Sequence, residues 1–441
     1  MSFELDKQTQ KDLEIFNEDK DGNSIFSFFN RTRSVGGKNL LRDLMLQPFN
    51  SLKQVVEQQD AFQFFIKNEI DLEINGSQID FIEYYLKLNT PILKHNIIDV
   101  FYQQISNYIK PNKNFYLIRT GIEKIFILLS GLKKELKDLD VEQAPNKLKE
   151  KFKLVNLILG KEVINANIDR KLSFRSILKY DSLFRKEMKE QFNFLVNIVY
   201  YFDVLQSVSK VKTEYQLTFS KYNADLKPSV SIQSLYHPFV KNPIKNSIHA
   251  NQNQNLIFLS GPNMAGKSTF LKSLGLCIYL AHLGFPVPAS EMETTIYKGL
   301  ITTINLPDNM SKGYSHFYNE VMRVKQTALL IKEKQNVFVI FDELFRGTNV
   351  KDASDASLEV ISCFSKITSS TFYISTHIIE IAKELKGKTN IDFKYFESKL
   401  VDEKPVYSYK MKDGISEERM GMYILKNEKI SEILNSIANQ A

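Results

Sequence analysis

Gly261-Pro262-Asn263-Met264-Ala265-Gly266-Lys267-Ser268 fits the pattern GxxxxGK[ST], with the apolar run NLIFLSG leading into it and an apolar helical stretch following it. A strand that feeds a glycine-rich turn and then a helix collects backbone N–H groups and the helix N-terminus at one point, which suits phosphate. In such a loop Lys267 contacts the β- and γ-phosphates of a nucleotide, the Ser268 hydroxyl holds Mg²⁺, and Thr269 adds a phosphate or packing contact. The expected ligands are ATP and Mg²⁺.

Val337-Phe338-Val339-Ile340-Phe341-Asp342-Glu343 reads as an apolar strand ending in two carboxylates, with Asp342 lying 75 residues beyond Lys267. That arrangement presents Asp342 to the metal and leaves Glu343 as the candidate general base for ATP hydrolysis. A further strand ends in Ser375-Thr376-His377, where His377 either polarises the γ-phosphate or attacking water or caps the next helix.

The length of 441 residues exceeds a single core and calls for at least two domains. Cys277 and Cys363 are far apart and lack CxxC partners, which leaves no disulfide framework or thiolate zinc site and fits a cytoplasmic protein. The six histidines lack the i, i+4 spacing of a metal pair. The N-terminus has no signal-peptide pattern. The uncharged stretch from Ser273 to Ser290 contains Pro286 and Pro288 and follows the phosphate loop, so it reads as a buried core helix; no membrane partner is expected.

From about residue 25 to 215, apolar residues recur at three-to-four spacing in segments such as LKQVVEQQDAFQFFIKN and RKEMKEQFNFLVNIVYYFDVL, which predicts a mostly α half. After Lys227-Pro228 the texture changes to short β-rich runs alternating with helices, the pattern of an α/β nucleotide-binding domain, and the boundary is placed near 228–235. Residues 101–230 carry 23 Lys and Arg against 14 Asp and Glu, the electrostatic footprint that DNA requires. A solvated lysine-rich helical surface has the same count.

GPNMAGKST, DELFRGTN and STH, in this order and spacing, resemble the ATPase domain of the MutS family of DNA mismatch repair proteins. The chain departs from the family pattern at Ala265, Phe345 and Asn349; phosphate contacts tolerate those changes, while Phe345 is expected to alter the dimer seam. Ser315-His316-Phe317-Tyr318-Asn319-Glu320 resembles the family's SxFxxE signature loop. The resemblance implies a homodimer in which Ser315 of one subunit closes on the nucleotide held by the other. Leu5-Asp6, Thr9 and Asp12-Leu13-Glu14-Ile15 resemble the opening of the MutS core domain, and residues 24–65 resemble its first lever helices.

The fold class so implied is multidomain, with an all-α lever and core domain over 1–230 followed by an α/β P-loop ATPase domain of ABC type over 231–441. The clamp within about 101–215 is expected to be reduced or absent, and the C-terminal end to be a helical dimerisation segment. Because the core opening lies at residue 5, no upstream mismatch-recognition or connector domain is expected. The leading functional expectation is an ATPase whose composite dimer sites gate a DNA clamp through backbone contacts, without intrinsic mismatch reading. The alternative is a nucleotide-gated protein-interaction module that no longer binds DNA.

Overall fold

The computed structural model describes residues 3–16, 23–92, 113–137, 139–165, 172–224, 227–304, 316–345, 349–376, 378–401, 404–415 and 429–438. The chain divides into two compact units. One comprises Met1–Ser27, Gln47–Val55 and Gln216–Ala441, the other Phe28–Leu46 and Val56–Tyr215. The molecule mixes helix and sheet, and two short stretches of the N-terminal region fold with the unit that carries the glycine-rich loop.

Every described element of the second unit is helical. Its longest described helix, Lys189–Glu214, is buried at each position from Ile198 to Val208, so it is enclosed by its neighbours rather than packed along one stripe. Asp203 on this helix accepts from Arg33 N (3.0 Å), Ser34 N (2.9 Å) and Ser34 Oγ (2.6 Å), so a buried carboxylate holds the start of the Val35–Leu46 helix. Asp181 and Arg185 form a buried pair at 2.5 Å, and Tyr85 donates to Asp181 at 3.0 Å.

In chain order the strands of the first unit are β1 (Glu4–Leu5), β2 (Lys221–Tyr222), β3 (Val230–Leu235), β4 (Asn246–Ala250), β5 (Leu256–Ser260) and β6 (Glu291–Thr294). They continue with β7 (Gly299–Thr303), β8 (Val337–Phe341), β9 (Thr371–Ser375), β10 (Ile391–Val401) and β11 (Lys404–Asp413). Seven form one sheet in the order β1-β7-β8-β9-β5-β10-β11, parallel throughout except at the β10–β11 pair. The other four form a smaller sheet, β2-β6-β3-β4.

Strands β5, β7, β8 and β9 are buried at every position, as a parallel sheet covered on both faces requires. Leu256, Phe258, Val337, Val339, Phe341, Phe372 and Ile374 alternate onto one face with Ile361 and Phe364 of the Val350–Phe364 helix. A side-chain carbon at Gly275 of the Lys267–His282 helix would lie 3.2 Å from Ile340, which places that helix against the opposite face. Among the described residues no helix is long and apolar enough to cross a membrane.

Candidate functional site

The glycine-rich loop joins β5 to the Lys267–His282 helix. Gly261 has φ +136°, and a side chain there would press on the Phe396 backbone at 3.3 Å. Gly266, the helix N-cap, has φ +101°, and its missing side chain makes room for the Tyr409 ring. The first intrahelical bond runs from Phe270 N to Gly266 O at 3.0 Å, so the N–H groups of Lys267, Ser268 and Thr269 precede the helical ladder. Gly266 supplies no side-chain cap. This is the helix start that an anion can cap.

Lys267 is buried, and its Nζ donates to Gly261 O (2.7 Å) and Pro262 O (3.0 Å) within the loop. Burial lowers its pKa, and the nearby Glu343 and Asp342 carboxylates oppose that shift. Asp342 follows β8, with its N–H on Thr303 O (2.9 Å), its carboxylate accepting from Ser375 Oγ and the Ser268 side chain beside it. Burial raises the Asp342 pKa, while those two hydroxyls stabilise its charged form. Glu343 follows at φ +53°, with its N–H on Ser375 O and Oγ, both at 3.1 Å.

The loop and Glu343 open onto one cavity of about 610 Å³, whose lining includes Asn263, Met264 and Gly266 through Phe270. Tyr236, His237, Val240, Ile244, Phe396 and Tyr409 form an aromatic and aliphatic part of its wall, beside polar residues such as Lys241 and Asn242, and sequence reasoning singled out none of them as site residues. They come from the segment between β3 and β4 and from the β10–β11 pair, and Asn246 ties the two by donating to Tyr409 O (2.9 Å) and accepting from Met411 N (2.9 Å). An aromatic and aliphatic wall opposite a phosphate-type helix start suits a flat base. Pro262 lies in the loop and Ala265 is fully buried.

Ser315 and His377 lie outside the described residues. Phe345, at φ +61°, is buried in the core of the sheet and its ring lies 5.5 Å from that of Phe317. Among the described residues no group of three His, Cys, Asp or Glu side chains forms a metal cluster. The Ser268 hydroxyl beside the Asp342 carboxylate is nevertheless a hard-oxygen pair next to a phosphate-type loop, and it fits Mg²⁺, which takes one or two protein oxygens and completes its shell with water and phosphate.

The fold and site define a class: an α/β unit in which a glycine-rich loop joins a parallel strand to a helix and faces a carboxylate pair on a nearby strand. The sequence matches the profile of MutS domain III over residues 8–311 and that of MutS domain V over residues 257–441, and the chain belongs to the MutS family. It is 27% identical to the DNA mismatch repair protein MutS of Petrotoga mobilis over 257 residues, which is 56% of this chain and 31% of that protein. It is 29% identical over 242 residues to that of Ehrlichia ruminantium strain Gardel, 54% of this chain and 29% of that one. Human MutS protein homolog 4 is 28% identical over 236 residues, 51% of this chain and 25% of its own length. The matched stretch therefore spans less than a third of each of these relatives.

Proposed function

We propose that the chain is an ATPase that binds ATP and Mg²⁺ at the Gly261–Thr269 loop, assembles as a homodimer and couples nucleotide turnover to sequence-indifferent grip on DNA. One observation carries the reading: the loop, the Ser268–Asp342 pair and Glu343 converge beside a single nucleotide-sized cavity. Lys267, desolvated and already donating to two carbonyls, is the cation for the β- and γ-phosphates, and the helix N–H groups supply further donors. Ser268 and Asp342 would hold Mg²⁺, which would supply positive charge to offset that developing on the phosphates. Glu343 then takes the proton of the attacking water.

The domain assignment that goes with this reading is a helical core and lever within 1–230 and a P-loop ATPase domain over 231–441, with Met1–Ser27, Gln47–Val55 and the stretch from Gln216 folding with the latter. Family resemblance assigns Ser315 to the neighbouring subunit's nucleotide, and the place of His377 at the end of Ser375-Thr376-His377 assigns it to the γ-phosphate or attacking water. The Ile430–Ala438 helix has no buried residue and exposes Ile430, Ile433, Leu434 and Ile437 at i, i+3, i+4 and i+7, one apolar face of the kind a dimer covers. The basic balance of residues 101–230 supports contact with DNA phosphates.

The test is ATP hydrolysis measured with and without homoduplex, mismatched and branched DNA, alongside duplex binding across a salt series. Stimulation by DNA and affinity that falls steeply with salt, without preference for a mismatch, are expected. Hydrolysis with no DNA affinity at low salt would overturn the DNA-clamp reading in favour of a nucleotide-gated protein-interaction module.

A further inference from the structure

We propose that the N-terminal segment Phe3–Phe16 is part of the frame of the hydrolytic centre, and that Asp12, seconded by Thr9, is a positioning residue for Asp342. The proposal rests on the assignment of the loop and carboxylates given above. Strand β7 carries the argument because its two edges face different things. On one edge Thr303 O accepts the N–H of Asp342 (2.9 Å). On the other, β1 pairs with Gly299 and Leu300 and then gives way to the Lys7–Asp12 helix.

Past that point side chains replace a strand partner. Thr302 N donates to Thr9 Oγ1 (2.9 Å), and both Ile304 N (2.9 Å) and Thr302 Oγ1 (2.8 Å) donate to Asp12 Oδ2. Gln8 holds the other Asp12 oxygen at 2.8 Å. Thr302 O accepts from the Arg323 guanidinium (2.8 Å), and Arg323 is paired in turn with Asp6. Thr9, Asp12 and Thr302 are buried, so these bonds face little competition from water.

The same segment also grips the helix that follows the glycine-rich loop. Glu14 pairs with Lys272 at 2.7 Å, and Leu13 lies so near Gly275 that a side-chain carbon there would come within 2.8 Å of it. One short segment thus holds the strand whose far edge fixes Asp342 and the helix whose first turn carries Ser268. The placement of the Ser268 side chain beside the Asp342 carboxylate needs those two supports in register. A carboxylate accepting backbone N–H groups fixes that register more tightly than an apolar cover, because its bonds are directional and charge-assisted.

The experiment compares wild type with Asp12→Ala, Asp12→Asn and, as a control on the exposed side of the same helix, Lys7→Ala. Binding of a fluorescent ATP analogue is measured without metal and then across a Mg²⁺ titration, ATP turnover is measured alongside, and thermal unfolding confirms that each variant is folded. Asp12→Ala is expected to bind the metal-free analogue within about threefold of wild type, to need roughly tenfold or more Mg²⁺ for half-maximal effect, and to lose at least about tenfold in kcat. Asp12→Asn, which keeps one oxygen acceptor for Ile304 N, should fall between, and Lys7→Ala should match wild type. A folded Asp12→Ala with wild-type Mg²⁺ dependence would overturn the proposal; if Asp12→Ala does not fold, wild-type Mg²⁺ dependence in Asp12→Asn would do the same. Wild-type protein that binds nucleotide without turning it over defeats the hydrolytic reading while the Mg²⁺ titration still decides this one. Wild type that binds no nucleotide defeats both.

Discussion

Glu343 occupies a left-handed backbone conformation, φ +53°, that costs a non-glycine residue about 1 kcal/mol, and its N–H is held at the end of β9 by Ser375. The carboxylate is therefore placed by its neighbours rather than by local preference. Exchanging it for an isosteric amide removes the proton acceptor and little else. Glu343→Gln is expected to retain ATP binding and to lose about a hundredfold or more in turnover, measured under single-turnover conditions. Lys267→Ala, by contrast, is expected to weaken nucleotide binding itself. Equal turnover in wild type and Glu343→Gln would sink the assignment of the base. At this scale the sequence was most informative where chemistry demands fixed residue types at fixed spacing: Gly261, Gly266, Lys267, Ser268, Asp342 and Glu343 stand out by pattern alone. Tyr236, His237, Val240, Ile244 and Tyr409 did not, because an aromatic or aliphatic cavity wall has the same composition as any core edge.

Elements built on strong periodicity were legible, and those defined by a partner far away in sequence were not. The apolar runs at 256–260, 337–341 and 371–375 are strands, and the segments with three-to-four spacing are helices at Leu52–Lys67 and Lys189–Glu214. The two-residue strand β1 and the six-residue helix after it carry no periodic signal of their own; their place is set by β7 and Thr302, whose bond to Asp12 spans 290 residues. Helix contacts also give one kind of substitution opposite signs at two sites. In the Val35–Leu46 helix a side-chain carbon on Gly36 would lie 2.2 Å from the Tyr200 ring, itself held by a 2.6 Å bond to Glu83. Gly131, in the Lys113–Leu136 helix, has nothing within 4 Å of that position. Gly36→Ala should destabilise by about 1–3 kcal/mol through overpacking, and Gly131→Ala should stabilise by up to about 1 kcal/mol through helix propensity. Urea midpoints of the two variants against wild type decide it, and a stabilised Gly36→Ala would contradict the packing described.

For the molecule as a whole, the change of texture near residue 228 precedes strands β3 to β11, but it did not reveal that Met1–Ser27 and Gln47–Val55 fold with the sheet-containing unit, nor that this unit resumes at Gln216. No composition shift accompanies a segment that crosses from one unit to another, since both need apolar residues of the same kinds. That unit also carries a built-in dependence on pH. His282 is fully buried, its Nε2 accepting from Tyr297 N (2.9 Å) and its Nδ1 within 2.8 Å of Ile278 O; a backbone N–H must donate and a carbonyl must accept, which fixes a neutral imidazole protonated at Nδ1. Burial pushes its pKa down to about 4, and that of His237 likewise to about 4. A histidine depressed in the folded state takes up its proton first in the unfolded chain. Its contribution to stability is therefore complete above the unfolded value near 6.5 and is lost as pH falls from there towards 4. At about 1.4 kcal/mol per pH unit, His282 alone accounts for roughly 3 kcal/mol across that window. Chemical unfolding of wild type and His282→Gln, followed through the transition of the sheet-containing unit from pH 7.5 to 4, reads this directly. The variant should be the less stable at pH 7.5, where it lacks the imidazole's fixed pair of bonds, and the gap should narrow as the pH falls because only wild type carries the penalty of a buried proton. A gap that stays constant from pH 7.5 to 4 would mean that His282 does not titrate differently in the folded and unfolded chain.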